Sequence, residues 1–124
     1  MSYGLGHSEF TTKVISAVRQ IPEGKIATYK QIAGLAGKPH ASRGVAWILN
    51  TCSTQFKLPW HRVINAQGKI SFDKTTHNYR QQKRRLENEG VIFAADGKLD
   101  LTEFQWKKQP RKTKTSKRKP KMFL

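Results

Sequence analysis

The segment Thr28-Tyr29-Lys30-Gln31-Ile32-Ala33-Gly34-Leu35-Ala36-Gly37-Lys38-Pro39-His40-Ala41-Ser42-Arg43-Gly44-Val45-Ala46-Trp47-Ile48-Leu49-Asn50-Thr51-Cys52 carries two apolar faces joined by a Gly/Pro break. Thr28 is placed to cap a helix, and Tyr29 to Leu35 turns Ile32, Ala33 and Leu35 inward at helical spacing. Gly37-Lys38-Pro39 stops that helix, because proline holds the residue before it out of helical geometry. A second helix is expected from about Ala41 to Cys52, with Val45, Ile48, Leu49 and Cys52 on one face and Arg43 off it. Two short helices across a tight turn make a helix-turn-helix plan, whose second helix enters a DNA groove. Its opening residues Ala41, Ser42, Arg43 and Gly44 are small apart from the arginine. Small residues let a backbone approach a duplex closely, and a guanidinium supplies a rigid fork of donors.

Outward from this segment, Glu9 to Gln20 reads as a first helix, with Phe10, Val14, Ile15, Ala17 and Val18 at helical spacing and Ser8 as its cap. Ile21-Pro22-Glu23-Gly24 ends it, and Ile26-Ala27 is a short extended piece. Ser53 to Leu58 reads as a loop. Pro59 to Ser71 reads as two short strands around a glycine-containing turn, a wing. Phe72 to Asn78 is a polar loop. Tyr79 to Asn88 is a basic helix with Leu86 inward and Gly90 as its C-cap. Residues 91–94 and 98–101 flank Ala95-Asp96-Gly97 as a hairpin, and Glu103 to Trp106 closes the domain. The expected fold is mainly α, an α+β winged helix-turn-helix with a small β wing. Residues 1–106 form the domain and 107–124 a disordered basic tail.

The length of 124 residues suits one domain. With 24 Lys+Arg against 8 Asp+Glu, the formal charge is +16. Residues 107–124 hold nine of the basic residues and no acid, which leaves a net +7 on residues 1–106. A folded domain with that excess presents a basic surface, and nucleic acid is the leading polyanionic partner. An anionic membrane surface competes, but there is no strongly amphipathic basic helix with lipid anchors. No apolar stretch of about 20 residues could span a bilayer. Met1 to Glu9 lacks the pattern of a secretory signal. Cys52 is the only cysteine, so no internal disulfide or all-cysteine zinc site is possible, and a reducing compartment is expected. His7, His40, His61 and His77 have no ligand spacing, and no P-loop or dinucleotide fingerprint is present. No metal and no cofactor is expected.

Four motifs stand in one order: Ile21-Pro22-Glu23-Gly24-Lys25; Thr28-Tyr29 with Ile32-Ala33; Ala41-Ser42-Arg43-Gly44-Val45; and Pro59-Trp60-His61-Arg62-Val63-Ile64. Together they resemble the DNA-binding domain of the O6-alkylguanine-DNA alkyltransferases over roughly Phe10 to Gly90. One position departs from the pattern. The family's alkyl acceptor is the cysteine of Pro-Cys-His-Arg, and Trp60 stands there. Alkyl transfer needs a thiolate activated by the adjacent histidine, and indole has no such nucleophile. The replacement is similar to that in alkyltransferase-like proteins, which bind alkylated guanine without removing the alkyl group and pass it to nucleotide excision repair. The resemblance therefore implies a sensor without enzymatic activity.

By the same resemblance, Arg43 is the finger that fills the gap left by a flipped nucleotide, against the plainer reading of a phosphate-binding arginine. Tyr29 is the residue that pushes on the 3′ phosphate, against a core aromatic. Ala41, Ser42 and Gly44 complete the DNA-contacting set. Trp60 is a wall of the alkylguanine pocket, against an ordinary core tryptophan, with Pro59, Val63 and Ser71 beside it. His61 and Glu89 match a proton relay that has lost its thiol, and Arg62 is structural. The loop 72–78, with Asp73, departs from the family's Gly-Tyr-x-Gly. Tyr79 to Arg85 tracks phosphates or is a solvated face. The partners implied are duplex DNA containing O6-alkylguanine and nucleotide excision repair proteins, bound by a monomer. The basic tail adds sequence-blind affinity, solubilises the chain or serves as a nuclear import signal, so location is the nucleus in a eukaryote and otherwise the cytoplasm. Two alternatives stay open. One is catalysis through another acceptor such as Cys52; the other is a generic winged-helix binder with no lesion preference.

Overall fold

The computed structural model describes residues 8–108. Helix α1 (Glu9–Gln20) begins where the Ser8 side chain accepts from the Thr11 N–H, and it buries Val14, Ile15, Ala17 and Val18. It stops before Pro22, and the chain turns at Gly24, whose φ of +85° suits glycine. Strand β1 (Ala27–Thr28) leads directly into α2 (Tyr29–Leu35), because Thr28 pairs as a strand residue and its hydroxyl caps the helix through Gln31 N–H. Helix α3 (Ser42–Phe56) follows the Gly37 turn and faces the core with Val45, Ile48, Leu49 and Cys52. These three helices enclose one apolar cluster, which also takes Ala27, Leu58 and Val63.

Helix α3 runs through Ser53 to Phe56, where polarity suggests a loop. The extra turn is held by tertiary contact. Phe56 packs on the core, and Arg19 both donates to its carbonyl (3.1 Å) and lies over its ring (5.8 Å). Lys57, in the left-handed region at φ 54°, caps the end.

The wing takes a different form from the expected pair of strands. Trp60–Arg62 is a single 3-10 turn, and β2 (Val63–Ile64) pairs in parallel with β1, Ala27 opposite Val63 and Thr28 opposite Ile64. The turn at Asn65 does form, with Asn65 N–H donating to the Lys69 carbonyl (3.2 Å). Its far arm is no strand, because the Gly68 carbonyl is taken by Leu99 N–H (2.9 Å). The fold is thus mainly helical with a small parallel two-stranded sheet. Successive strand residues point to opposite faces. Val63 and Ala27 therefore enter the first core, while Ile64 and Ile26 enter a second with Leu86, Val91, Leu99 and Phe104.

Helix α4 (His77–Asn88) starts two residues before the expected Tyr79, because Thr76 is the cap and accepts from Tyr79 N–H. The hairpin reduces to one antiparallel bridge, Phe93 to Leu99, before α5 (Leu101–Phe104). The chain then returns to β1 and α2. Trp106 N–H donates to Ile26 O, and Gln31 Nε2 donates to the carbonyls of Trp106 (2.8 Å) and Lys108 (2.9 Å). The contact with α2 thus extends two residues past Trp106. The rest of the expected tail, 109–124, and the start of the chain, 1–7, lie outside the described residues.

Candidate nucleic-acid interface

A cavity of about 580 Å³ opens between α2, α3, the 3-10 turn and α4. That size falls within the roughly 300–1,000 Å³ of small-molecule sites. Tyr29 enters from the first turn of α2. Helix α3 supplies Ala46, Leu49, Asn50, Ser53 and Thr54. Trp60 comes from the 3-10 turn and Ser71 with Phe72 from the loop after β2; α4 adds Asn78, Gln81 and Arg85.

Trp60 is partly buried against the first core and held edge-on to Phe72, with ring centroids 6.1 Å apart at 90°. The Arg85 guanidinium carbon lies 5.7 Å over its ring. The cavity therefore has an aromatic wall with a cation beside it, and no carboxylate among its lining residues. Such a wall suits a flat, electron-rich ring. Burial pushes the Tyr29 phenol above its ordinary value, with a Ser71 side-chain hydrogen bond acting the other way. Tyr29 thus keeps its proton at neutral pH and remains a donor.

Behind Trp60 lies a carboxylate clamp. Glu89 accepts from Arg62 Nη2 (2.8 Å) and Nε (3.0 Å), from His61 Nε2 (2.7 Å) and from Gly24 N–H (3.1 Å). Burial alone would raise the Glu89 pKa, but the bonds from Arg62, His61 and Gly24 outweigh it and hold it at about 2. Arg62 also donates to the Ile21 carbonyl (2.9 Å), so one residue ties the end of α1 to the end of α4. Burial lowers the His61 pKa more than Glu89 raises it. The imidazole is neutral at pH 7 and donates its Nε2–H in a hydrogen bond to the Glu89 carboxylate. Its Nδ1 is then a buried acceptor with no partner among the described residues.

The expected site residues are distributed unevenly. Tyr29, Trp60 and Ser71 meet at the cavity. Pro59 and Val63 do not line it. Pro59 opens the 3-10 turn and accepts from Arg62 N–H, and Val63 is a core residue 1% exposed. Ala41 caps α3 and Ser42 begins it, with Arg43 exposed on its first turn. At Gly44 a Cβ would stand 3.3 Å from Phe10 Cε2, so the glycine lets α3 pack closely on α1. Cys52 is buried on the core face of α3 and does not line the cavity. Asn50, Ser53, Thr54, Phe72 and Asn78 line it although no sequence motif marks them. Gln81 and Arg85, at i, i+4 on α4, line it from the segment read as tracking phosphates or as a solvated face. Among the described residues no group of three or more His, Cys, Asp or Glu could hold a metal, and no helix is long and apolar enough to cross a membrane.

Residues 9–91 match the family described as 6-O-methylguanine DNA methyltransferase, DNA binding domain. A DNA base-flipping protein of Vibrio parahaemolyticus is 40% identical, over 79% of this chain and 96% of its own length. Alkyltransferase-like protein 1 of Schizosaccharomyces pombe is 42% identical, over 80% of this chain and 95% of its own. The chain belongs to the alkyltransferase-like family. A crystal structure of the S. pombe protein in complex with damaged DNA containing O6-carboxymethylguanine superimposes with a TM-score of 0.72. The match is 41% identical and covers 84% of this alkyltransferase-like chain and 100% of that one.

Proposed function

We propose that this alkyltransferase-like chain is a DNA damage sensor that binds O6-alkylguanine in duplex DNA and holds the damaged nucleotide, chemically intact, in the cavity beside Trp60. One observation carries the reading: the wall of the cavity is an indole where the resemblance places a nucleophilic cysteine, and no lining residue is a thiol. Flipping a nucleotide costs a few kcal/mol, least for a weakened base pair, so the lesion itself aids selection. The duplex is approached from the minor groove. Tyr29, a protonated donor at the cavity, presses on the phosphate as the nucleotide turns, and Arg43 occupies the vacated stack. Ser71 and Asn50 offer polar contacts to the base, while Trp60 and Phe72 cover its face and the alkyl group.

His61 and Glu89 have no proton to relay to a thiol. In this reading they fix the 3-10 turn that presents Trp60, with Arg62 as the third member. The product is a persistent protein–DNA complex that brings in nucleotide excision repair proteins. The functional domain extends to residue 108, where Gln31 holds the Lys108 carbonyl, and 109–124 add sequence-blind attraction to DNA.

The test follows the alkyl group. The protein is incubated with a duplex carrying O6-methylguanine labelled on its methyl. The sensor reading expects a stable complex from which the labelled base is recovered unchanged. Label appearing on the protein would establish an alkyltransferase instead.

A further inference from the structure

Trp47 is one of two large apolar side chains exposed among the described residues, at 66%. Its position on α3 is informative. At about 100° per residue, positions 43, 47, 50 and 54 fall on one stripe about 60° wide, opposite the core residues Val45, Ile48, Leu49 and Cys52. Arg43 stands at one end of the stripe. Asn50 and Thr54, at the other end, line the cavity. Trp47 lies between them.

We infer that Trp47 belongs to the DNA-contacting surface, its indole packing into the minor groove against the sugar and base edges between the Arg43 position and the pocket. This rests on the proposed function. A duplex that meets Arg43 and delivers a nucleotide past Asn50 has to cover the stripe, and so covers Trp47. The same coverage excludes a protein partner from this ring while DNA is bound. A second copy of the chain is opposed by a net charge of +16 on each molecule. Apolar wedges in the minor groove hold base steps apart, and a flat ring suits sugar faces of any sequence. Trp47 thus supports the distorted duplex by an apolar contact in the groove, fullest once the nucleotide has left the stack.

The experiment titrates the full chain, Trp47→Ala and Trp47→Phe against two duplexes that differ only in guanine or O6-methylguanine at one position, at near-physiological salt. Melting temperatures of the three proteins are expected to coincide, since the side chain lies outside the core. Trp47→Ala should weaken binding to the lesion duplex about tenfold, and Trp47→Phe should recover most of it. Binding by Trp47→Ala within about twofold of the parent on both duplexes would overturn the inference, as would a phenylalanine variant no better than alanine. A parent with equal affinity for both duplexes contradicts the lesion reading instead. Weaker binding of Trp47→Ala to the plain duplex then still decides whether the ring touches DNA.

Discussion

Trp60 performs two tasks with one ring. It packs in part on the first core, and it lines the cavity with the Arg85 guanidinium over its ring. Replacing it by alanine should weaken binding of alkylated DNA by about 1–3 kcal/mol, the range for removing one base–aromatic stack. The effect should be larger for a benzyl than for a methyl adduct, because only the larger group reaches across the ring. Titrations with the two adducts check this, and equal effects would show that the alkyl group lies elsewhere. Glu89, one layer behind, governs stability. Its side chain is 12% exposed and its pKa is held at about 2 instead of 4.5, which corresponds to roughly 3 kcal/mol at neutral pH. A depressed carboxylate stabilises the fold above its unfolded pKa, so this contribution is present above about pH 4.5 and disappears as pH falls towards 2. His61, held neutral by burial, acts in the same direction from about its ordinary 6.5 downward. Glu89→Gln should cost about 3 kcal/mol at pH 7, because it strands the Arg62 guanidinium. It should also flatten the acid limb of the stability curve, read by urea unfolding across pH.

Between residues and the whole fold, α3 is the element on which interface and pocket both depend. Its core face is legible from Val45, Ile48, Leu49 and Cys52, as are the caps at Ser8 and Thr28. Its length is not. Ser53-Thr54-Gln55 reads as solvated, and the packing of Phe56 on the core and its contacts with Arg19 support that turn. The end of the helix can be tested directly. Lys57 adopts a left-handed conformation that costs a non-glycine residue roughly 1 kcal/mol. Lys57→Gly should therefore raise stability by up to about 1 kcal/mol, seen as a higher urea midpoint at constant slope. The parallel sheet is hidden in the sequence because two-residue strands show no period, and the partner of Val63–Ile64 lies 36 residues earlier in the chain. Three expected site residues line the cavity: Tyr29 and Trp60, which motifs mark, and Ser71, at the start of the loop after the expected wing. Asn50, Gln81 and Arg85 look like ordinary polar helix faces until the fold brings α3 and α4 to either side of the indole. Pro59 and Val63 follow the motif but serve the 3-10 turn and the core.

For the whole molecule, charge and shape divide the work of binding. In the proposed reading the +16 charge attracts any duplex, whereas the cavity distinguishes a lesion. Removing residues 109–124, which carry seven basic side chains and no acid, should lower affinity for plain and alkylated duplexes alike. The dependence of log K on log salt should flatten by about 0.9 for each phosphate the shortened chain leaves unneutralised. The ratio between the two duplexes should not change. That ratio is the most direct test of the central claim, that the cavity beside Trp60 receives an alkylated base. Binding of the full chain and of Arg43→Ala to guanine and O6-methylguanine duplexes should be measured at near-physiological salt. A clear preference for the lesion in the parent, abolished in Arg43→Ala, is the result expected of a flipping sensor. Equal affinity for the two duplexes in the parent would contradict it and leave a basic protein that binds DNA without regard to damage.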